Sequence, residues 1–333
     1  MKCLTLLRAA LAAALLVTLP SAVLAQAKAP VKTVNFSILA TESSTSLQSF
    51  WAPIIADMEK QTGYKIKPFY GSNYTALIEA MRFKQTDVGW FSNQSGLEAT
   101  RRSGGEVFVR TFDPSGRDGY RSLIIVPAKS NLTLEQVLKC DKSLNFGIGD
   151  AKSTSGTLAP MTYLFAPRGI KPAECFKTVR TANHQANLFA VARGVLDVAT
   201  NNSTAVNLQK GRDPAINDAI RVIWTSPPLP EDPIVWRKDL DPQVKVRLRK
   251  FFESYGQGTG PEAARQRALL SKVSIGGFKP ADNNHLLPVR EMEATEIYLV
   301  AKEEGNAAKI AAAQKVLAGI QAERKALAGR APK

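Results

Sequence analysis

A two-lobed α/β protein is what this 333-residue sequence predicts, and three observations carry the prediction. Strand-length apolar runs alternate with segments of helical period in two successive series, a pattern that pairs strands in parallel through crossovers. Two extended stretches, near residues 119–126 and 228–236, bracket the second series and read as a double crossover between lobes. The chain is also long enough for two cores of roughly 150 residues each.

The first element is a leader. Lys2 and Arg8 flank an apolar run at residues 9–19, followed by Pro20 and small residues up to Ala25. That run is far shorter than the ~20 residues of a membrane-spanning helix, so a secretory signal cleaved after Ala25 is expected. Cys3 precedes the run, which argues against a lipid-modified cysteine at the cut. Cleavage would leave 308 residues, and loss of Lys2 and Arg8 lowers the formal net charge from +15 to +13. The basic residues are dispersed without an aromatic-interleaved stripe, which excludes a nucleic-acid binder and suits a field that attracts anionic solutes. A basic tail (Lys325, Arg330, Lys333) adds to it. No later segment has the length and purity of a membrane span, so the mature chain is expected to be periplasmic and not membrane-inserted.

In the first series, strands are expected at 33–40, 65–69 and 87–91, with helices at 47–60 and 74–83 and another running to about Arg102. After a loop at 113–119, the second series has strands at 123–126, 144–148, 176–181, 195–200 and 220–224. Its helices are expected at 133–138, 155–166 and 185–193. Prolines at 227–233 break regular structure, because they cannot donate to a ladder. Helices follow at 242–255 and 261–270, then a long one ending near Leu327. No internal repeat is evident. The boundaries expected are 1–25 for the leader, 26–121 plus 230–333 for one lobe, and 122–229 for the other.

Two cysteines remain after the leader, Cys140 and Cys175. In an oxidising compartment they read as a disulfide or as two isolated buried thiols. Each precedes a strand of the second lobe, and neighbouring parallel strands would bring them together, so a bond is expected.

The segment most able to carry chemistry is Gly149-Asp-Ala-Lys-Ser-Thr-Ser-Gly156. A strand ends before it and a helix opens within it, placing Ser153, Thr154 and Ser155 around a helix N-terminus. Free N–H groups and the dipole make such a place an anion site. Plain N-capping needs one hydroxyl, and here there are three. Gly156 is read as letting a ligand approach the backbone. The Gly-x-x-x-x-Gly-Lys spacing of a nucleotide loop is missing. Ser153, His184 and Asp232 have the residue types of a hydrolytic triad, but no Gly-x-Ser-x-Gly elbow surrounds the serine. No His/Cys/carboxylate cluster suggests a metal. A binding protein without cofactor is therefore expected, and a hydrolase is the weaker alternative.

The stretch Phe146-Gly-Ile-Gly-Asp-Ala-Lys-Ser-Thr-Ser-Gly156 resembles the phosphonate-binding periplasmic components of ABC transporters. So do His184-Gln-Ala-Asn187, Asp197-Val-Ala-Thr-Asn-Asn202, Val222-Ile-Trp-Thr-Ser-Pro227, Asp232-Pro-Ile-Val-Trp-Arg237 and Glu79-Ala-Met-Arg-Phe83. The resemblance runs in one order from about Val34 to Arg290. It implies the type II periplasmic-binding-protein fold, with lobes joined by a double-crossover hinge and closing on a phosphonate for delivery to a membrane permease. A phosphate- or phosphite-binding protein, or a receptor-linked sensor of the same fold, is the nearest alternative. Carried over by motif, the oxyanion ligands are Ser153, Thr154, Ser155 and His184, with Tyr74 and Tyr120 lining the pocket. Trp90 is placed in the core. Relatives that bind 2-aminoethylphosphonate hold its ammonium with two carboxylates. Asp232 matches one, whereas Thr204 stands where the other would be.

Overall fold

The computed structural model describes residues 31–328; the expected leader and the last two basic residues of the tail lie outside the described residues. The chain runs β1 (Thr33–Ile38), α1 (Ser44–Thr62), β2 (Lys65–Tyr70), α2 (Tyr74–Arg82), β3 (Val88–Trp90), α3 (Asn93–Arg102) and β4 (Gly105–Phe112). It crosses over into β5 (Ser122–Pro127), α4 (Leu134–Val137), β6 (Asn145–Ile148), α5 (Pro172–Cys175), β7 (Thr178–Thr181) and α6 (His184–Ala192). That series continues through β8 (Val198–Asn202), α7 (Ser203–Arg212), α8 (Pro214–Asp218) and β9 (Ile220–Thr225). The chain then returns with β10 (Pro233–Arg237), α9 (Pro242–Ser254), α10 (Pro261–Ser271), β11 (Gly277–Pro280), α11 (Leu287–Glu303) and α12 (Ala307–Ala328).

Two sheets result, one of order β11-β4-β10-β3-β1-β2 and one of order β7-β6-β8-β5-β9. Each sheet with its helices forms a lobe. In β5, Ile124 and Val126 face one apolar cluster while Leu123 and Ile125 face another. Such an all-apolar strand is what a sheet covered on both faces requires. The first sheet is anchored by large rings: Trp51 lies 5.4 Å from Phe36, and Phe108 stacks on Trp236 at 3.8 Å. The crossovers pair at Tyr120 and Leu229 through reciprocal N–H···O bonds of 3.1 and 2.8 Å. Gly119 is required beside that pair, because a Cβ there would sit 2.7 Å from the Leu229 carbonyl oxygen.

Several expectations need correction. The β1–β2, β1–β3, β6–β7 and β6–β8 pairs are parallel, but β5 and β10 run antiparallel to their neighbours, because each is the crossover strand of its sheet. β4, β11, α5, α7 and α8 are not among the expected elements. The expected long last helix is two, broken where Gly305 takes a left-handed φ of 67°. The expected helix at 155–166 is present as one continuous helical path, but it is wound wide at Thr154–Leu158 and Met161–Phe165, on either side of Pro160, which has no N–H to offer a regular ladder.

The sequence also contains a repeat that its letters hide. Helices α2 and α6 begin at 74 and 184, and α3 and α7 at 93 and 203, so the spacing is 110 in both. Asn35 donates its N–H and its side-chain amide to Asp87 Oδ2; Asn145 does the same to Asp197 Oδ2. The helix caps Ser43 and Ser153, Asn73 and Asn183, and Ser92 and Asn202 stand at the same spacing. Topology and capping are kept while the core letters differ.

In the second lobe Cys140 and Cys175 are bonded, with sulfurs 2.08 Å and Cα atoms 3.9 Å apart. The bond ties the entry to β6 to the end of α5, just before the parallel neighbour β7.

Candidate functional site

Between the lobes lies a narrow, largely enclosed cleft. It is built from the turns that follow the C-terminal ends of β1, β2 and β3 in one lobe and of β6, β7 and β8 in the other. Parallel strands leave helix N-termini at that edge of each sheet, which is where α/β sheets hold ligands. Ser153, Ser155, His184, Tyr74, Tyr120, Asp232 and Thr204 all line the cleft. Trp90 also lines it while packing 5.6 Å from Trp51, so it serves core and wall together.

The two serines are aimed by the groups behind them. Ser153 caps the first wide turn, its hydroxyl oxygen accepting from the Gly156 N–H at 3.0 Å. Ser155 accepts from the Asn202 side-chain amide at 3.2 Å, and its carbonyl accepts from Ser122 Oγ at 2.6 Å. With an oxygen lone pair of each hydroxyl filled by a donor, each hydrogen is free to point at an anion. His184 Nε2 lies 3.5 Å from both serine hydroxyls, at the edge of hydrogen-bond range. The N–H groups of Thr154 and Ser155, in the first turn, have no acceptor within that turn.

Thr154 is the exception. It does not line the cleft, and its hydroxyl accepts from the Gln94 N–H of α3 at 2.8 Å, across the two lobes. Gly156 also has a different use from the one expected. A Cβ on it would lie 2.8 Å from Gly149 Cα, and one on Gly149 would lie 2.5 Å from Gly156 Cα. The glycine pair closes the loop on itself, with Gly149 N–H donating to the Gly156 carbonyl at 3.0 Å. Asp150 from the same loop accepts from the Tyr74 N–H at 3.0 Å, so the loop also caps α2 of the facing lobe.

Burial sets the charge of the site. It holds His184 down at about 4, so the ring is neutral at pH 7. Tyr74 and Tyr120 are raised above the ordinary phenol value, first by burial and then by the carboxylate of Asp232. Asp232 is itself raised by burial and by neighbouring Glu231, and Glu231 is pushed up to about 7 by burial and then by Asp113. The other histidine, His285, binds the Glu231 carbonyl from behind at 2.6 Å through Nε2 and so steadies the 231–232 segment. His184 Nδ1, Trp90 Nε1 and Asp232 Oδ1 are buried without a hydrogen-bond partner in the protein.

Sequence reasoning missed the groups that join the lobes across the mouth. Arg212 Nη1 donates to both Glu42 carboxylate oxygens at 2.8 Å. Gln185 donates to Glu42 and accepts from the Ser43 N–H at 3.0 Å. Gln185 lies within the quoted His184-Gln-Ala-Asn187 motif, whereas nothing in the sequence pairs Glu42 with Arg212.

A buried, hydroxyl-rich cleft between two crossover-linked α/β lobes is the architecture of a solute-binding protein of the type II periplasmic kind. Residues 36–286 match the family model described as ABC transporter, phosphonate, periplasmic substrate-binding protein, and this chain belongs to that family. The phosphonates-binding periplasmic protein of Escherichia coli strain K12 is 38% identical over 269 residues, spanning 80% of this chain and 78% of the relative. A crystal structure of a binding component of an ABC phosphonate transporter from Pseudomonas aeruginosa superposes with a TM-score of 0.85 at 37% identity. It covers 90% of this chain and all of its own. PhnD1 of Prochlorococcus marinus, solved with methylphosphonate, shares the fold at a TM-score of 0.68 and 18% identity, over 78% of this chain and 97% of that one. The family is one of substrate-binding transport components, not of enzymes. Among the described residues no helix is long and apolar enough to cross a membrane.

Proposed function

We propose that this chain captures a phosphonate between its lobes and delivers it to the membrane permease of an ABC importer. What supports the reading most is the pair of serine hydroxyls, each lining the cleft and each fixed from behind by a donor to its oxygen. Phosphoryl oxygens would take their hydrogens, the Ser155 N–H, the phenols of Tyr74 and Tyr120, and the His184 ring. All of these donors are neutral, so the anion is matched by dipoles and a helix N-terminus instead of a buried cation. Asp232, its carboxyl raised by burial and by Glu231, can give a hydrogen to the anion in its protonated form or accept one from a P–OH group in its ionised form.

The lobes in this reading are residues 26–121 with 230–333, and 122–229. They hinge at the paired crossovers Tyr120 and Leu229. The leader would be cleaved after Ala25 on export to the periplasm. A calorimetric panel of phosphate, phosphite, methylphosphonate and 2-aminoethylphosphonate tests the reading. Phosphonates should bind more tightly than phosphate or phosphite, and the reverse order would replace the ligand assignment. Capture of the permease by the ligand-loaded protein, and not by the empty one, tests delivery.

A further inference from the structure

Beyond the serines the cleft continues into an apolar annex, and the geometry points to a ligand whose phosphorus carries an uncharged alkyl or aryl substituent lodged there. This rests on the phosphonate reading above and narrows it to a substrate class. The annex follows from helix periodicity. Leu188 and Phe189 stand one turn beyond His184 on α6, and Ala205 and Leu208 stand on the cleft face of α7. Leu47 and Ile275, both buried, cover it from the facing lobe.

Its far end is shut by an ion pair whose charges are already matched. Both Glu42 oxygens are held by Arg212, and Gln185 adds a third donor at 3.3 Å. Arg212 in turn donates to the Lys272 carbonyl and lies 3.9 Å over the Phe50 ring. An ammonium on the ligand would reach a carboxylate already neutralised, and a ligand carboxylate would reach a guanidinium already engaged. Either would lose its hydration there without a free partner. The other two carboxyls lining the cleft, Glu231 and Asp232, are both raised by burial, which disfavours the ionised form that an ammonium needs. Methylenes or a ring would instead cover apolar walls. Each added methylene buried there tightens binding about threefold to fourfold.

The test compares methyl-, n-propyl-, n-butyl- and 2-aminoethylphosphonate by calorimetry on the mature protein at one pH. The n-propyl and 2-aminoethyl groups have the same number of heavy atoms, so that pair isolates the charge. Affinity is expected to climb from methyl to butyl, with n-propylphosphonate at least tenfold tighter than 2-aminoethylphosphonate. Ala205→Phe should flatten the climb by filling the annex, and Leu208→Gln should shrink it. The quantity read is the butyl-to-methyl ratio within each variant, which cancels any fraction of misfolded protein. Tight methylphosphonate binding with no gain on lengthening, or a preference for the 2-aminoethyl ligand, overturns the annex assignment and leaves the oxyanion site standing. Failure of all four to bind, with phosphate or phosphite bound, overturns both.

Discussion

Three successive hydroxyls, Ser153, Thr154 and Ser155, look equivalent in sequence, and the structure predicts that they will not behave alike on substitution. Ser155→Ala removes a donor to a charged ligand and leaves the Asn202 amide without its acceptor. A hydrogen bond to a charged group is worth about 1.5–3 kcal/mol, so the Kd of any phosphorus oxyanion should rise about 10- to 150-fold. Ser153→Ala should cost similar affinity, with a further ~1 kcal/mol of stability from the lost cap on Gly156. Thr154→Val makes a different change. Its hydroxyl meets only the Gln94 N–H of the opposite lobe, so the Val variant orphans a buried amide when the lobes are together. With the lobes apart, water satisfies that amide. The loss of about 1–3 kcal/mol therefore falls on closure and weakens every ligand by one common factor. Thr154→Ser, which keeps the hydroxyl, should restore binding. Titration calorimetry of the four variants against methylphosphonate and phosphate measures all of this. Wild-type affinity in Ser155→Ala, or a Thr154→Ser variant as weak as Thr154→Val, would refute the reasoning.

Thr204→Glu places a carboxylate on the cleft face of α7 and should improve 2-aminoethylphosphonate about 10- to 100-fold relative to methylphosphonate, read as a ratio of Kd values. Glu231, lifted to about 7 in the folded chain from an ordinary carboxyl value, is protonated more readily when folded, so its contribution is present at acid pH and lost as pH rises from about 4.5 through 7. Glu231→Gln should thus stabilise the protein at pH 8 by about 1–3 kcal/mol and change little at pH 4, by urea denaturation at both. His184 acts in the opposite direction: held at about 4, it costs stability as pH falls from about 6.5 towards 4, so His184→Gln should flatten the acid limb of the same curve. The Cys140–Cys175 bond closes a loop of 35 residues, and Cys→Ala at both should lower stability by about 3–4 kcal/mol, with phosphonate affinity nearly unchanged. An unaltered denaturation midpoint would count against any structural role for the bond.

What the sequence made legible was whatever local chemistry decides. Caps, strand-length apolar runs and the glycine-bounded Ser-Thr-Ser loop are read from neighbours in the chain, and they located both series and the oxyanion end of the cleft. Partners distant in sequence were not legible. Glu42 and Arg212 are separated by 170 positions, and Thr154 and Gln94 by 60; each pair meets only once the lobes are together. Strand direction failed for the same reason, since β5 and β10 owe their antiparallel course to the crossover and not to their own residues.

The hidden repeat explains why the site forms where it does. At a spacing of 110, Tyr74 in α2 corresponds to His184 in α6, each the first residue after an asparagine cap. Ser92, which caps α3, corresponds to Asn202, which caps α7. Each lobe thus brings the same turns to the edge of its sheet, and the crossovers set those edges face to face. The repeat has kept the caps, because a helix N-terminus needs its N–H groups satisfied in either lobe. Beside them it has diverged: Ser92 is turned to the Lys152 carbonyl at 2.8 Å and braces the facing loop, while Asn202 holds Ser155 ready for a ligand. One lobe has become the anion cradle and the other its cover, and substitutions at equivalent positions should therefore separate affinity from closure.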